Sequence, residues 1–478
     1  MRRRRHWLRG TLCGVVIAGS ISGAALAAGP FGEPDALALH TFDGEQAGDG
    51  FGWEAENIGD ITGDGVNEFI TAAPFGSPNG LRSGKAYIFS GAGGPPLHTL
   101  TGNAFDQYGY AVSRAGDANR DGVPDYIVGG PGSRNAPVPF AGRAAIYSGA
   151  DHTLIHELHG PVGVRFGADA TGAGDLNGDG YDDVIVGAPF ASFGAAGGGS
   201  LYSYSGADGT LLWRHDGTSL GGQLGLAVGS LGDINADGVP DVVVGAPYAG
   251  PKSRGEAFAL SGVDGTIIHT LRPAGLPGSN QQTFGWFFAS GPGDVDRDGV
   301  PDIFIGDWNA RRGGVDGTGR AYVFSGKTGK RLFLLNAERP GDGFGVGRGI
   351  GDIDGDGHAD LIIAAYTSSA GAPFGGKAYI VSGRRHRVLR TITGTLPGDL
   401  LGVDALAIGD VNGDRLTDFL LTTGNGAIEH VYVVAGVPVR PGAAPAAALD
   451  DVPPADVGAL GTPASQPPAR VADRPVVR

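Results

Sequence analysis

A nine-residue Asp-rich loop occurs seven times in this chain of 478 residues, and this repetition constrains the fold more than any other feature. The third copy, residues 175–183, reads Asp-Leu-Asn-Gly-Asp-Gly-Tyr-Asp-Asp. The copies start at intervals of 57, 58, 58, 61, 58 and 58 residues, at Asp60, Asp117, Asp175, Asp233, Asp294, Asp352 and Asp410. A steady period of this length indicates one repeated supersecondary unit, which cannot bury a core without its neighbours.

The segments between the loops predict four short β-strands per repeat. In the third repeat an inner strand runs from 166 to 174, and an apolar second strand covers 183–189. A third strand follows at 200–205 and a fourth at 210–214. Such β-branched and aromatic runs, bounded by Gly, Pro, Asp and Asn, are typical of strands, and no helical periodicity competes with them. The predicted fold is an all-β, seven-bladed β-propeller of four-stranded antiparallel blades.

The seventh repeat has no fourth strand of its own, because its third strand at 431–436 leads into a region without periodicity. A fourth-strand phrase stands instead before the first repeat, at 37–42. We expect this N-terminal strand to complete the last blade, which would leave no free sheet edge between the chain ends. The propeller is therefore predicted over 36–437, and the Pro/Ala-rich residues 438–478 are predicted to be a disordered tail.

Residues 1–27 have the pattern of a cleaved export signal. Five arginines precede an apolar stretch, and Ala25-Leu26-Ala27 matches an A-x-A cleavage site. A transmembrane anchor is the alternative, and Arg4-Arg5 leaves twin-arginine export open beside the general route. The predicted location is secreted or periplasmic, with no membrane span in the mature chain. The single Cys and the single Met both lie within this segment, so the mature chain would have no disulfide.

The chain is acidic, with a formal net charge of −15 at pH 7, and loss of a signal carrying five arginines and no acid would bring it to −20. This charge is a poor match to nucleic acid or anionic lipid. Nucleic acid and anionic lipid are therefore not expected as partners. The predicted partner is an extracellular protein or an acidic glycan, and the chain is expected to be monomeric.

The seven loops have the chemistry of calcium sites. Oxygen-bearing side chains stand at positions 1, 3, 5 and 9, position 6 is Gly in six copies, and position 7 would offer its backbone carbonyl. Alternating oxygen ligands around a tight turn suit a hard cation, and the absence of His and Cys side-chain ligands argues against zinc. An ordinary Asx turn is the alternative for any single copy. The predicted ligands, for up to seven Ca²⁺ ions, are Asp60, Thr62, Asp64, Val66, Glu68, Asp117, Asn119, Asp121, Val123, Asp125, Asp175, Asn177, Asp179, Tyr181, Asp183, Asp233, Asn235, Asp237, Val239, Asp241, Asp294, Asp296, Asp298, Val300, Asp302, Asp352, Asp354, Asp356, His358, Asp360, Asp410, Asn412, Asp414 and Asp418.

The seven copies differ in ligand quality. The fifth and sixth loops have four carboxylates, and the second, third and fourth have three carboxylates and an amide. Thr62 and Glu68 replace the usual residues of the first loop, and Arg415 stands where the seventh loop needs its glycine. If that turn requires a positive φ, arginine costs about 1 kcal/mol and adds a charge that repels a cation. The first and seventh sites are predicted to be the weakest.

The phrase at 166–189, Phe-Gly…Gly-Asp…Asp-Gly…Asp…Gly-Ala-Pro, resembles the FG-GAP repeat of the integrin α-chain propeller and its bacterial relatives. The resemblance extends from about residue 37 to 437. It implies calcium loops on one face of the propeller, ligand binding on the other, and a role in adhesion or extracellular binding. Leu replaces the Phe at 224 and 401, and Gly306-Asp307-Trp308 replaces Gly-Ala-Pro in the fifth repeat.

A ligand-binding surface is predicted on the loops between second and third strands, which hold ten Lys and Arg against four Asp and Glu. Trp308, Arg311 and Arg312 depart from the period and are the predicted ligand contacts. Gly-x-Ser-x-Gly elbows and Walker loops are absent from the sequence. The predicted function is an exported calcium-binding adhesion or recognition module without enzymatic activity. The alternatives are a lyase or hydrolase that acts on polysaccharide, and a purely architectural surface protein.

Overall fold

The computed structural model describes residues 29–132, 141–274, 283–311, 317–424, 428–439 and 449–451. These residues form seven antiparallel sheets. In six of them the four blade strands follow chain order from an inner strand to an outer strand, and in the seventh the outer strand comes from the start of the propeller. The inner strands of successive blades pack side by side around a central channel. The predicted all-β, seven-bladed propeller is confirmed.

The chain begins with β1 (Ala38–Asp43), which belongs to the last blade. Blades one to three contain β2 (Ala55–Gly59), β3 (Glu68–Ala73), β4 (Lys85–Ser90), β5 (His98–Thr101), β6 (Ala111–Gly116), β7 (Asp125–Gly130), β8 (Arg143–Tyr147), β9 (Leu154–His159), β10 (Ala170–Gly174), β11 (Asp183–Ala188), β12 (Ser200–Tyr204) and β13 (Leu211–Asp216). Blades four and five contain β14 (Ala227–Gly232), β15 (Asp241–Ala246), β16 (Glu256–Leu260), β17 (Ile267–Leu271), β18 (Ala289–Gly293), β19 (Asp302–Asp307), β20 (Arg320–Phe324) and β21 (Arg331–Asn336). Blades six and seven contain β22 (Phe344–Gly351), β23 (Asp360–Ala365), β24 (Lys377–Val381), β25 (Val388–Thr393), β26 (Ala405–Gly409), β27 (Asp418–Thr422) and β28 (His430–Val434), and the sheet of blade five also takes up β29 (Asp450–Asp451). One 3₁₀ turn, Pro251–Ser253, lies between β15 and β16.

The N-terminal strand closes the ring as predicted. Strand β1 pairs antiparallel with β28, with Thr41 opposite Tyr432 and Phe42 opposite Val431. Phe42 is buried and stacks edge-on against Phe69 of the first blade, with ring centroids 5.1 Å apart. The outer strand of blade seven therefore comes from the opposite end of the propeller sequence, which joins the first and last blades.

Each second strand is buried along its whole length, because neighbouring blades cover both of its faces. The repeated glycines allow this close packing. A Cβ on Gly187 of blade three would lie 2.1 Å from the carbonyl oxygen of Gly225 in blade four. Gly225 itself has φ +95° and donates its N–H to the carbonyl of Gly245 over 3.0 Å. The Phe-Gly and Gly-Ala-Pro phrases thus meet where adjacent blades touch, and Leu224 fills the Phe position with equal burial.

The outer strands are fastened to the next blade by a recurring side-chain contact. Trp213 donates Nε1–H to the carbonyl of Gly262 over 2.6 Å, and His156 Nε2 lies 2.8 Å from the carbonyl oxygen of Gly206. His269 makes the same contact with Gly326 at 2.7 Å. The histidines that recur on the fourth strands are therefore part of the interface between blades.

Segments at both chain ends cover outer strands of neighbouring blades. Glu33 accepts hydrogen bonds from Thr391 and Thr393 of β25 over 2.7 Å each, and β29 pairs with β21. The predicted signal peptide 1–27 lies outside the described residues, as does most of the predicted tail. The disorder predicted for 438–478 therefore stays a prediction. The two-residue strand β29 within this range was not indicated by the sequence.

Candidate metal centres and the channel mouth

The first Asp of each loop organises the backbone of that loop. In the third loop Asp175 Oδ1 accepts the N–H groups of Gly178 and Asp179 over 2.7 and 3.1 Å, and its Oδ2 accepts that of Gly180 over 2.8 Å. Asp179 Oδ1 then accepts the N–H of Tyr181 over 2.9 Å. The side chains at positions 1, 3 and 5 are thereby placed along the inside of a tight turn.

The carboxylate at position 9 joins three segments of its blade. Asp183 is fully buried at the start of β11, and its two oxygens accept the N–H groups of Leu176 in the loop and Gly206 after the third strand, over 2.8 and 3.0 Å. Burial raises the pKa of Asp183 to about 6, although the backbone hydrogen bonds act in the opposite direction. Burial likewise raises the pKa of Asp302 in the fifth loop to about 7. These carboxylates hold the loop against the sheet and keep lone pairs for a cation.

The fifth and sixth loops gather carboxylate oxygens at metal-binding distances. Within the described chain, two sets of three acidic side chains offer ligand atoms that all lie within 4.8 Å of one another: Asp294, Asp296 and Asp302, and Asp352, Asp354 and Asp356. In the sixth loop, Oδ2 of Asp354 and Oδ2 of Asp356 are buried and have no hydrogen-bond partner among the described residues. Because carboxylates at this spacing repel one another and the donors are all oxygen, the two sets fit a hard divalent cation.

The first and seventh loops depart from this arrangement. Glu68 accepts the N–H groups of Ile61 and Thr62 through Oε2 over 3.0 and 3.1 Å, while its Oε1 is buried without a hydrogen-bond partner among the described residues. Arg415 adopts φ +69° and donates its N–H to Asp410 Oδ2 over 2.7 Å, as glycine does in the other loops. The seventh turn therefore does require the left-handed conformation that the sequence analysis made conditional.

On the opposite face, a cavity of about 440 Å³ opens at the mouth of the central channel. Aromatic side chains from several blades form its wall and touch one another edge to face. The ring centroids of Trp53 and Phe75 lie 5.1 Å apart, those of Trp53 and Phe287 6.0 Å apart, and those of Trp308 and Tyr366 6.1 Å apart. This aromatic wall, together with Tyr110 and Trp286, gives the mouth a large rigid apolar surface.

Carboxylates form the floor of this cavity. Glu54, Asp169 and Asp404 each accept an N–H from the inner strand of the next blade, from Val112, Val228 and Ala55 over 3.2, 2.7 and 3.1 Å. Inner strands have no neighbour on the channel side, so these carboxylates satisfy N–H groups that a sheet edge leaves free. Arg348 joins the group, and its Nη2 lies 2.8 Å from Asp404 Oδ1.

The environment of the floor shifts two of its carboxyl groups towards protonation. Burial, followed by the charges of Asp169 and Asp404, raises the pKa of Glu54 well above its ordinary range, and burial raises the pKa of Asp169 to about 7. The guanidinium of Arg348 favours the ionised forms of both groups and offsets burial only in part. Asp169 is therefore the floor carboxyl group whose pKa lies near neutral pH.

Of the two predicted ligand contacts within the described residues, Trp308 lines the cavity. Arg311 lies outside the lining, and its carbonyl accepts a hydrogen bond from Arg320 Nη2 over 2.9 Å. Arg312 lies outside the described residues. The structure leaves the three side chains untested as ligand contacts, and it adds Trp53, Phe287, Asp169 and their neighbours as candidates.

Several of the basic side chains predicted on this face are paired with acids from a second set of loops. The loops that join each fourth strand to the next inner strand share the face and bring acids to the basic side chains. Lys85 lies 2.6 Å from Glu45, Arg143 lies 2.9 Å from Asp106, and Lys377 lies 3.0 Å from Glu338. A count restricted to the loops between second and third strands omitted these acids.

Comparison with known sequences identifies the repeat. A family model for the FG-GAP repeat matches residues 166–204, 225–261 and 344–381, in blades three, four and six. The chain carries FG-GAP repeats. It is similar to integrin alpha-5 of Xenopus laevis, with 30% identity over 224 residues, and to integrin alpha pat-2 of Caenorhabditis elegans, with 28% identity over 257 residues. These alignments cover 44% and 49% of this chain.

The matched region is a small part of those relatives, because the alignments cover 20% of each integrin α-chain. Among solved structures, the FG-GAP propeller is similar to a crystal structure of BBS1N in complex with ARL6DN, with a TM-score of 0.51 and 10% identity. That alignment covers 86% of this chain and 98% of the other, and it supports the fold alone. The described residues contain no helix long and apolar enough to span a membrane.

The seventh Asp-rich loop offers a test of backbone strain. We expect R415G to raise the free energy of unfolding by about 1 kcal/mol in chelator, because glycine adopts φ +69° without the steric cost of a side chain. R415A is the matched control, since it removes the charge and keeps the strain. Urea unfolding followed by circular dichroism measures both variants, and equal stability of R415G and wild type would contradict the prediction.

The channel floor offers a test of pH dependence. Because the pKa of folded Asp169 is about 7 and an unfolded Asp titrates near pH 4, the folded state holds more protons between these values. The stability of the wild type relative to D169N should therefore fall as pH rises from about 4 to 7, by at most about 4 kcal/mol, and then level off.

Urea unfolding in chelator at a series of pH values measures this difference. D35N, which changes an exposed carboxylate, should follow the wild-type profile. A difference between wild type and D169N that stays constant with pH would show that folding does not raise the pKa of Asp169.

Proposed function

We propose that this chain is an exported, calcium-stabilised propeller that acts as an adhesion or recognition module. The aromatic wall of the channel mouth, on the face opposite the Asp-rich loops, carries the recognition part of the proposal. Rigid aromatic surface on a fixed scaffold is typical of the energetic centre of a binding site. The similarity to integrin α-chains supports the same class of function.

The chemistry of the mouth narrows the class of partner. Among the described residues that line the cavity, Glu54, Asp169, Asp404 and Glu429 are acidic and Arg348 is basic. The mouth therefore offers little positive charge to an acidic glycan, so of the two predicted partner classes an extracellular protein fits it better. A protein partner can offer apolar and basic side chains to the aromatic wall.

The calcium part of the proposal rests on the fifth and sixth loops, whose carboxylate oxygens lie within 4.8 Å of one another. Asp294, Asp296 and Asp302 would hold one ion, and Asp352, Asp354 and Asp356 another, with the remaining loops as further sites. A bound ion would neutralise the repulsion between these carboxylates. Extracellular modules bind calcium with a Kd of about 10⁻⁴ to 10⁻³ M.

A polysaccharide-acting enzyme is the second candidate. One observation favours it: Asp169, whose pKa is raised to about 7, faces a cavity walled by aromatic side chains. Carboxyl groups of shifted pKa in clefts are common at catalytic sites and also occur in structural ion-pair networks. Turnover of any bound glycan would support this candidate.

Removal of calcium tests the structural role of the metal. At a tenfold excess over Kd, each site stabilises the folded state by about 1.4 kcal/mol, so seven sites could contribute on the order of 10 kcal/mol. We expect the melting temperature to fall by more than about ten degrees when 2 mM calcium is replaced by chelator. An unchanged melting temperature would contradict calcium stabilisation, and magnesium in place of calcium controls for general ionic effects.

Binding experiments test recognition. The mature protein is applied to whole cells, immobilised matrix proteins and a glycan array, in 2 mM calcium and in chelator. We expect calcium-dependent binding that W53A and W308A each weaken at least about tenfold, because each removes part of the aromatic wall. F193A, which changes an exposed aromatic residue on the same face outside the cavity, should bind like wild type. Equal binding by W53A, W308A and wild type would place the binding surface elsewhere.

A further inference from the structure

Basic side chains reach the Asp-rich loop in the two blades whose loops have four carboxylates. The turn after the third strand supplies them, and it lies beside the loop of the same blade. Arg385 Nη1 lies 3.5 Å from Asp354 Oδ2 and 3.6 Å from Asp356 Oδ2 in the sixth loop. Lys327 Nζ lies 3.6 Å from Asp298 Oδ2 in the fifth.

In the second, third and fourth loops an amide reaches the same atom. The Nδ2 groups of Asn119, Asn177 and Asn235 donate to Oδ2 of the position 5 aspartate over 2.9, 3.0 and 2.8 Å. The fifth and sixth loops have Asp in place of this Asn and so lose the donor. Lys327 and Arg385 contact Oδ2 at position 5, where the amide hydrogen bond is missing.

The turn residues change together with the loop residues. In the second, third and fourth blades, whose loops have Asn at position 3, the turn contains Ala150-Asp151, Ala207-Asp208 or Val263-Asp264. There the aspartate hydrogen-bonds within its own turn, as Asp208 does with the N–H of Thr210 over 3.0 Å. The seventh loop also has Asn at this position, but residues 435–439 after its third strand contain no Asp. Where the loop has Asp at position 3, the turn contains Lys327 or Arg384-Arg385.

The exchange brings the ligand positions 1, 3, 5 and 9 of these loops to a similar charge. At these positions the first, second, third and fourth loops have three carboxylates each. The fifth and sixth have four, and contact with one basic side chain from outside the loop returns the charge at these positions to −3. Cation affinity depends on the ligand charge of a site, so the basic side chain acts directly on that affinity.

The basic side chain of the sixth blade, Arg385, is more firmly held than Lys327 of the fifth blade. In the turn of the sixth blade, His386 stacks on Phe333 with ring centroids 3.9 Å apart. The side chain of Arg385 is 29% exposed, that of Lys327 is 55% exposed, and Asp354 is 5% exposed. Less solvent screening makes the interaction of Arg385 the stronger one.

We propose that Arg385, and more weakly Lys327, are built-in counter-cations that stabilise the metal-free loops and set the metal affinity of the sixth and fifth sites. This inference rests on the metal binding proposed above. In the metal-free protein the guanidinium offsets the repulsion between Asp354 and Asp356. A divalent ion bound by the same carboxylates meets a positive charge nearby, so its affinity is lower than four carboxylates alone would give.

The test uses the mature chain with R385Q, and R384Q as the matched control in the adjacent, exposed position. In chelator, R385Q should melt at a lower temperature than wild type, because the buried carboxylates lose their counter-charge. In calcium titrations followed by calorimetry, one class of sites in R385Q should bind about fivefold more tightly. K327Q should change both quantities in the same directions by less, and R384Q should change neither.

The outcomes separate the two proposals. If wild type binds no calcium up to about 10 mM, a range above the usual extracellular affinities, the metal sites and this inference both fail. If wild type binds calcium and R385Q binds it with unchanged or lower affinity, only this inference fails. Should R385Q not fold, the comparison of K327Q with wild type decides the question, with R385K, which keeps the charge, expected to resemble wild type.

Discussion

The buried carboxylate at position 9 of the loop is the interaction on which the rest of the propeller depends. Asp183 accepts an N–H from its own loop and another from Gly206 after the third strand. The carbonyl of the same Gly206 is contacted by His156 of the preceding blade. Gly262 repeats the arrangement between Asp241 and Trp213, and Gly326 between Asp302 and His269. One glycine thus links the metal loop, the sheet and the neighbouring blade, so that disorder in a loop would also loosen the contact between blades.

Carboxylate side chains have different roles at the two ends of the inner strands. At the loop end, the carboxylate oxygens of the aspartates lie close together and repel one another, and a bound cation would neutralise this repulsion. At the channel end, Glu54, Asp169 and Asp404 bond free N–H groups of the next inner strand and so join blades. Their environment differs too, because Arg348 and the aromatic wall surround the second group. Burial and neighbouring charge, more than residue identity, therefore decide whether a carboxylate acts as a metal ligand candidate or as a link between strands.

Periodicity made the fold predictable from the sequence and made the site hard to predict. The strand phrases recur seven times, so the blades, the closing strand β1 and the strained turn at Arg415 could be derived from alignment of the copies with one another. The channel mouth is built from positions that differ between copies: two residues after the Phe-Gly glycine stand Glu54 and Asp169 in two blades, but Phe287 in the fifth. Alignment of the copies with one another shows that these positions vary, but it does not indicate that they lie together at the channel mouth. The spatial pairing of Lys85 with Glu45 was also inaccessible, because it depends on which loops share a face.

Departures from the period are concentrated in the fifth repeat, and they connect the two faces. The interval that precedes its loop is 61 residues instead of 58, and residues 286–288 place a run of aromatic side chains at the mouth, where Phe287 touches Trp53. Asp307, in place of the usual Ala, is buried and accepts the N–H of Thr283 over 2.9 Å at the base of this segment.

Only the five residues of β18 separate Phe288 from Asp294, the first residue of an acidic set, and the five residues of β2 likewise separate Glu54 from Asp60. At about 3.3 Å per residue, the two ends of such a strand lie about 20 Å apart. An ion bound at one end of so short a strand would also restrict the residue at its other end, so the proposed cation sites and the proposed recognition surface would be coupled.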